Sequence, residues 1–133
     1  MNRTDTTLTV ELEPGINNNG PITYYRIVVQ IMDDVIQQEF DEKLLVSYNQ
    51  SLIDGVPYYI TGEINFMNHS HDFHVGDGFT YRKYYNAPLP SKSHVHILLG
   101  IISVWNGVTT SVYAKAGHDQ HNPLGMIFYD QEG

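Results

Sequence analysis

The sequence predicts an all-β protein, an antiparallel β-sandwich, on three observations. Apolar and polar residues alternate through Leu8-Thr9-Val10-Glu11-Leu12-Glu13, the period of a half-buried strand. The longest apolar run, His94 to Trp105, ends at Asn106-Gly107, a strong hairpin-turn signal, and Val108 to Ala116 returns from it. Ten tyrosines, with few Ala or Leu runs, favour strand over helix.

The elements follow in order. Leu8 to Leu12 is the first strand, with Leu8, Val10 and Leu12 on the buried side. Pro14-Gly15 and Asn17-Asn18-Asn19-Gly20-Pro21 break the chain. Ile22 to Met32 reads as a long second strand, and its run Ile27-Val28-Val29 predicts burial on one face with partial cover on the other. Asp33 to Lys43 is acidic, a polar excursion or a short amphipathic piece. Leu44 to Tyr48 is expected as a short strand and Tyr58 to Thr61 as another. Asn65 to Asp77, rich in His, is expected as a loop. Gly76-Asp77-Gly78 is a turn signal before Phe79-Thr80-Tyr81. In His94 to Trp105, Val95, Ile97, Leu99 and Ile101 share one face. About seven short strands separated by turn signals make a sandwich the economical arrangement. The core is expected from Leu8, Val10, Leu12, Ile27, Val29 and alternate residues of the His94 strand. The sandwich is assigned to residues 1–117. Residues 118–133 are read as a polar tail with one apolar patch at Leu124, Met126, Ile127 and Phe128.

A chain of 133 residues suits one domain and supports a core without a disulfide or a metal. The net charge of −8 argues against a nucleic-acid partner, whose phosphates need a basic surface. No stretch reaches the roughly 20 apolar residues that span a bilayer. No positive-then-apolar leader opens the chain, which is expected to be a piece of something longer. With no cysteine, a thiolate nucleophile is excluded. Three N-glycosylation sequons, at Asn2, Asn49 and Asn68, favour an extracellular setting.

Two strings carry a family resemblance. Leu8-Thr9-Val10-Glu11-Leu12-Glu13-Pro14 followed by Asn19-Gly20-Pro21-Ile22-Thr23-Tyr24-Tyr25-Arg26-Ile27 resembles the second and third strands of a fibronectin type III domain, an immunoglobulin-like sandwich. Pro88-Leu89-Pro90-Ser91-Lys92-Ser93-His94 resembles the turn into its sixth strand. Two positions depart from the pattern. Leu12 stands where the family has a core Trp, and His94 where it has a corner Tyr, whose hydrogen bond an imidazole N–H would have to replace. The string from Pro57 to Glu63, then Phe73-His74-Val75-Gly76-Asp77-Gly78, Tyr81 and Tyr85-Asn86-Ala87-Pro88-Leu89, resembles the membrane-proximal ectodomain of receptor-type protein tyrosine phosphatases. There an extended insert separates the early strands from the sixth. The resemblance covers roughly residues 6 to 116. It implies a stalk domain on the extracellular side of the plasma membrane, in a single-pass receptor whose phosphatase domains lie inside the cell. It further implies roles in cell adhesion and axon guidance. Some relatives are cleaved at basic clusters here, but Arg82-Lys83 is the one dibasic pair and no cleavage is carried over.

Other chemistry has an ordinary explanation that is favoured over it. His69, His71 and His74, and the pair His94 and His96, have spacings a zinc ion uses, yet no cysteine joins them, and solvated or sheet-surface histidines are expected. Asp33, Asp34, Glu39, Asp41 and Glu42 lack a calcium-loop spacing and read as a solvated acidic stretch. Tyr81, Tyr84 and Tyr85 suggest a ligand platform, against the commoner role of cross-strand pairs. No nucleophile elbow accompanies the Ser, His and Asp residues. The sequence thus assigns no catalytic, cofactor or metal residues. Its first functional reading is a non-catalytic stalk, monomeric or weakly dimeric, with protein-ligand or lateral receptor contacts. The alternative is a ligand-binding fibronectin module of another adhesion or receptor protein. A His-built hydrolase or metal site is the third.

Overall fold

Strict alternation decides how each early strand sits between water and core. In the computed structural model, which describes residues 2–12, 22–32, 39–65, 70–116 and 126–129, Leu8, Val10 and Leu12 are buried and Glu11 between them is exposed. That strand, β2 (Leu8–Leu12), pairs on one side with β1 (Asn2–Arg3) and on the other with β5 (His71–Val75). The second sheet is larger. β3 (Tyr24–Met32) lies between β4 (Tyr58–Asn65) and β8 (His94–Trp105); β9 (Val108–Ala116) and β10 (Met126–Tyr129) continue it. Every pairing in the two sheets is antiparallel. A short hairpin, β6 (Thr80–Tyr81) and β7 (Tyr84–Tyr85), stands apart.

The inner faces meet in one core. Leu8, Val10, Leu12, Phe73 and Val75 of the small sheet pack with Tyr25, Ile27, Val29, Tyr59, Ile97, Leu99 and Ile101 of the large one. All the residues expected in the core from β2 and β3 are there. The large sheet is also covered outside. Val28, Tyr58, Leu98 and Tyr113 form a second cluster under Phe40, Leu45 and Val56. That is why β3 and β8 read as continuous apolar runs, the signature of strands buried on both faces. Gly100, in the middle of β8, leaves room for a ring: a Cβ there would stand 2.7 Å from Cε2 of Tyr113, its cross-strand partner.

Three expectations are corrected. Leu44 to Tyr48 is not a strand. A single 3-10 turn (Glu42–Leu44) leads to helix α1 (Tyr48–Asp54), and Ser47 makes only an isolated bridge to Ile60. Asp41 caps the turn through Lys43 N–H, and Ser47 caps the helix through Gln50 N–H, satisfying donors that a helix start leaves open. The His-rich segment is not wholly loop, because His71–Val75 is β5. It turns Phe73 and Val75 inward and leaves Asp72 and His74 exposed. β4 also runs beyond Thr61, to Asn65. The expected apolar patch near the C-terminus supplies β10, along the outer edge of β9.

Candidate functional site

The string that discriminates one family from another is a knot of hydrogen bonds. Asn86 is fully buried at its centre. Its Nδ2 donates to the His74 carbonyl at 2.8 Å and to Asp77 Oδ1 at 3.0 Å. Its Oδ1 accepts from Gly76 N–H at 2.7 Å and from the Thr61 hydroxyl. Thr61 can reach it because β4 bulges there: Ile27 opposes Gly62 but Val28 opposes Ile60, so Thr61 is the unpaired extra residue. Asp77 uses its other oxygen to accept the Tyr81 hydroxyl, and Oδ1 also takes Phe79 N–H at 2.9 Å. The main chains of Gly78 and Asn86, and of Asn86 and Phe79, close the loop at 2.9 Å each.

Gly76 is required by geometry. Its φ is +94°, and a Cβ would lie 2.2 Å from the Thr6 carbonyl oxygen. That carbonyl accepts Leu89 N–H at 2.8 Å, so the knot fastens the chain before β2 to the turn before β8. Phe73, Val75, Ala87 and Leu89 are the buried anchors of the same string.

A second polar cluster lies on the outer face of the large sheet. Arg26 Nε donates to Glu63 Oε2 at 2.8 Å, Nη1 to the Tyr113 hydroxyl at 2.9 Å and Nη2 to the Tyr24 hydroxyl at 3.3 Å. Glu42, from the 3-10 turn, accepts the Ser111 hydroxyl on both carboxylate oxygens, at 2.8 and 2.9 Å. It therefore pins the insert to β9. Burial works against the Arg26 charge, but Tyr113 and Glu63 outweigh it and hold the guanidinium above its ordinary pKa.

Four phenols resist ionisation, Tyr58 among them through its burial. Burial and the Asp77 carboxylate push Tyr81 up to about 12 from 10.0. Burial, with Glu42 adding and Arg26 opposing, also takes Tyr113 to about 12. Burial raises Tyr59 as well. An unfolded tyrosine ionises near its ordinary value, so the native state keeps these protons when the unfolded chain has lost them. Their contribution to stability is complete below pH 10 and is lost as pH rises towards 12. Alkaline titration followed by tyrosinate absorbance is expected to show a late-ionising set that coincides with unfolding. All ten tyrosines ionising together near pH 10, with the fold intact, would contradict it.

The sequence candidates fall into different places. Tyr81 packs on Phe73 with ring centroids 4.8 Å apart and is the cross-strand partner of Tyr84, whereas Tyr85 contacts Tyr48 at 6.2 Å. They form cross-strand and core contacts, not one platform. Arg82 and Lys83 are the tight turn between β6 and β7. The His94 and His96 rings meet edge to face at 5.2 Å. His69 lies outside the described residues, as do Asp33, Asp34 and Asn68. Asp41 is spent on its cap and Glu42 on Ser111. Asn2 opens β1, and Asn49 is exposed on α1. An open groove of ≈ 500 Å³ runs between the end of β4, β5 and the β6–β7 hairpin, lined among others by Glu63, His71, His74, Tyr81 and Arg82. Sequence reasoning missed this groove, because it joins residues far apart in the chain.

The fold agrees with what comparison finds. Residues 1–114 match the family described as the receptor-type tyrosine-protein phosphatase U Fn3 domain. The chain belongs to this family. The fibronectin type III domain is also 43% identical, over 126 residues, to a Drosophila melanogaster protein named putative inactive tyrosine-protein kinase Wsck. That alignment covers 91% of this chain and 16% of the relative. In this fibronectin domain β2 and β3 are the second and third strands of the resemblance, and β8 is the sixth. Its corner is tied through the Pro90 carbonyl. The Pro90 carbonyl accepts from Ser93 Oγ at 2.6 Å and from Arg3 Nη2 at 3.2 Å, while His94 stands exposed beside His96. The hydroxyl at the residue before the corner does the tethering.

Proposed function

We propose that this domain is an extracellular stalk of a single-pass cell-surface receptor, acting through geometry and protein contacts in cell adhesion and guidance-type signalling. The observation that carries the reading is the family match over residues 1–114. The knot supports it, because it ties the chain before β2 to the turn before β8 through Thr6 and Leu89. In this reading the chain that follows β10 leads towards the membrane. Partners are protein ligands or neighbouring receptors. Two copies carrying −8 each repel at low salt, so self-association is weak there, and the repulsion eases as salt screens the charge.

For the parent, the family's name favours a cytoplasmic tyrosine phosphatase. A second reading, a kinase-like cytoplasmic part, is favoured by the relative that shares 43% of 126 residues. A surface-labelling experiment tests the placement. The parent, tagged within this domain, is expected to stain on intact cells. Staining only after permeabilisation would sink the extracellular reading. The sequence beyond a membrane span then decides between phosphatase and kinase-like readings. The isolated domain is expected to release no phosphate from a chromogenic ester, and turnover surviving repurification overturns the stalk role.

A further inference from the structure

Helix α1 has three faces. Tyr48, against Tyr59 at 5.0 Å, and buried Ser51 point inward. Gln50 and Asp54 bond to each other at 2.9 Å along one side. The third face is Asn49, Leu52 and Ile53, related as i, i+3 and i+4 and therefore neighbours on the helix surface. Leu52 is 66% exposed and Ile53 76% exposed, the two most exposed aliphatic side chains among the described residues. Nothing else in a seven-residue helix calls for two apolar residues in water, and such side chains grouped together mark a surface that something covers. Asn49 opens the sequon Asn49-Gln50-Ser51.

We propose that the cover is a glycan on Asn49, whose first sugar lies over Leu52 and Ile53. An N-acetylglucosamine presents an apolar C–H face and an acetamide methyl, and stacking them on the two side chains removes apolar area from water. In the transfer, Asn49 Nδ2 bonds to the anomeric carbon of the first sugar. A lipid pyrophosphate leaves with the anomeric C–O electron pair, and the amide gives up one proton. The Ser51 hydroxyl that the sequon supplies is buried, and donates to the Tyr48 carbonyl at 2.6 Å. Attachment therefore precedes closure of α1.

The inference rests on the extracellular reading, and the test separates the two. The chain is secreted from eukaryotic cells, and its glycans are mapped by mass spectrometry. Asn49 is expected to be modified. Wild type, Asn49→Gln, and wild type trimmed to one N-acetylglucosamine are compared by dye binding to apolar surface and by sedimentation. Asn49→Gln is expected to bind more dye and to lose monomer, whereas the trimmed protein behaves as wild type. Adding Leu52→Ser and Ile53→Ser to Asn49→Gln is expected to restore both readouts. A glycan on Asn68 but none on Asn49 overturns the inference and leaves the placement standing. So does Asn49→Gln behaving as wild type, or failing to be rescued by the two serines. No glycan at any of the three sequons overturns both.

Discussion

Replacing Asn86 by Ala is expected to lower the stability of the domain by about 3–5 kcal/mol, enough to abolish folding in a marginal background. Asn86 is fully buried, and its amide serves four partners from three parts of the chain. Truncation removes the acceptor of Gly76 N–H and of the Thr61 hydroxyl and the donor to Asp77. Each buried group left unpaired costs about 1–3 kcal/mol, and the vacated amide leaves a cavity besides. Urea unfolding, read as the midpoint at unchanged slope, measures the loss. Asn86→Asp keeps the acceptor but sets a carboxylate beside Asp77. It is expected to be destabilised too, and to recover partly as acid protonates the new carboxyl. A loss under about 1 kcal/mol for Asn86→Ala would mean that water replaces the amide, and the knot would not be the feature that fixes this region.

The elements legible in the sequence were those whose burial repeats locally. β2 alternates without exception, and β8 and β9 frame an Asn-Gly turn. α1 was hidden because its apolar pair faces water, so Tyr48 to Asp54 carries no inward apolar stripe. Its ends were nonetheless signalled: Ser47 caps one, and Gly55, with φ +70°, closes the other in the left-handed conformation. β5 was concealed by composition. His71, Asp72 and His74 made the stretch look like a loop, although Phe73 and Val75 alternate with them as a strand requires. Within the motif the residue types were visible, but their wiring was not. Nothing local joins Asn86 to Thr61, 25 residues away, because the link needs a bulge created by the pairing of β3 with β4. The Arg26 cluster was invisible for the same reason, its members coming from β3, β4, the insert and β9.

That cluster supports the second large effect. Removing Glu63 alone, as Glu63→Ala, is expected to cost about 2–4 kcal/mol, near the lower end for breaking a buried ion pair. The Glu63 side chain is 8% exposed and that of Arg26 is 19% exposed, so the stranded guanidinium has little water to turn to. It retains the Tyr113 hydroxyl at 2.9 Å and a distant Glu42 carboxylate at 4.0 Å, which is why the loss stays below the extreme. The double substitution Arg26→Met with Glu63→Leu is expected to return to within about 1 kcal/mol of wild type, since it removes both charges and fills their space with apolar atoms. With the single variants Arg26→Met and Glu63→Leu added, the comparison closes a double-mutant cycle in urea, and its coupling term isolates the pair. If the double variant is as unstable as Glu63→Ala, the ion pair itself stabilises the fold and the desolvation argument fails. If the double variant recovers stability while the insert around Glu42 gains protease sensitivity, the charges serve registry. Arg26 would then hold Tyr113 and Glu42 in place, and with them the segment that covers Val28 and Leu98.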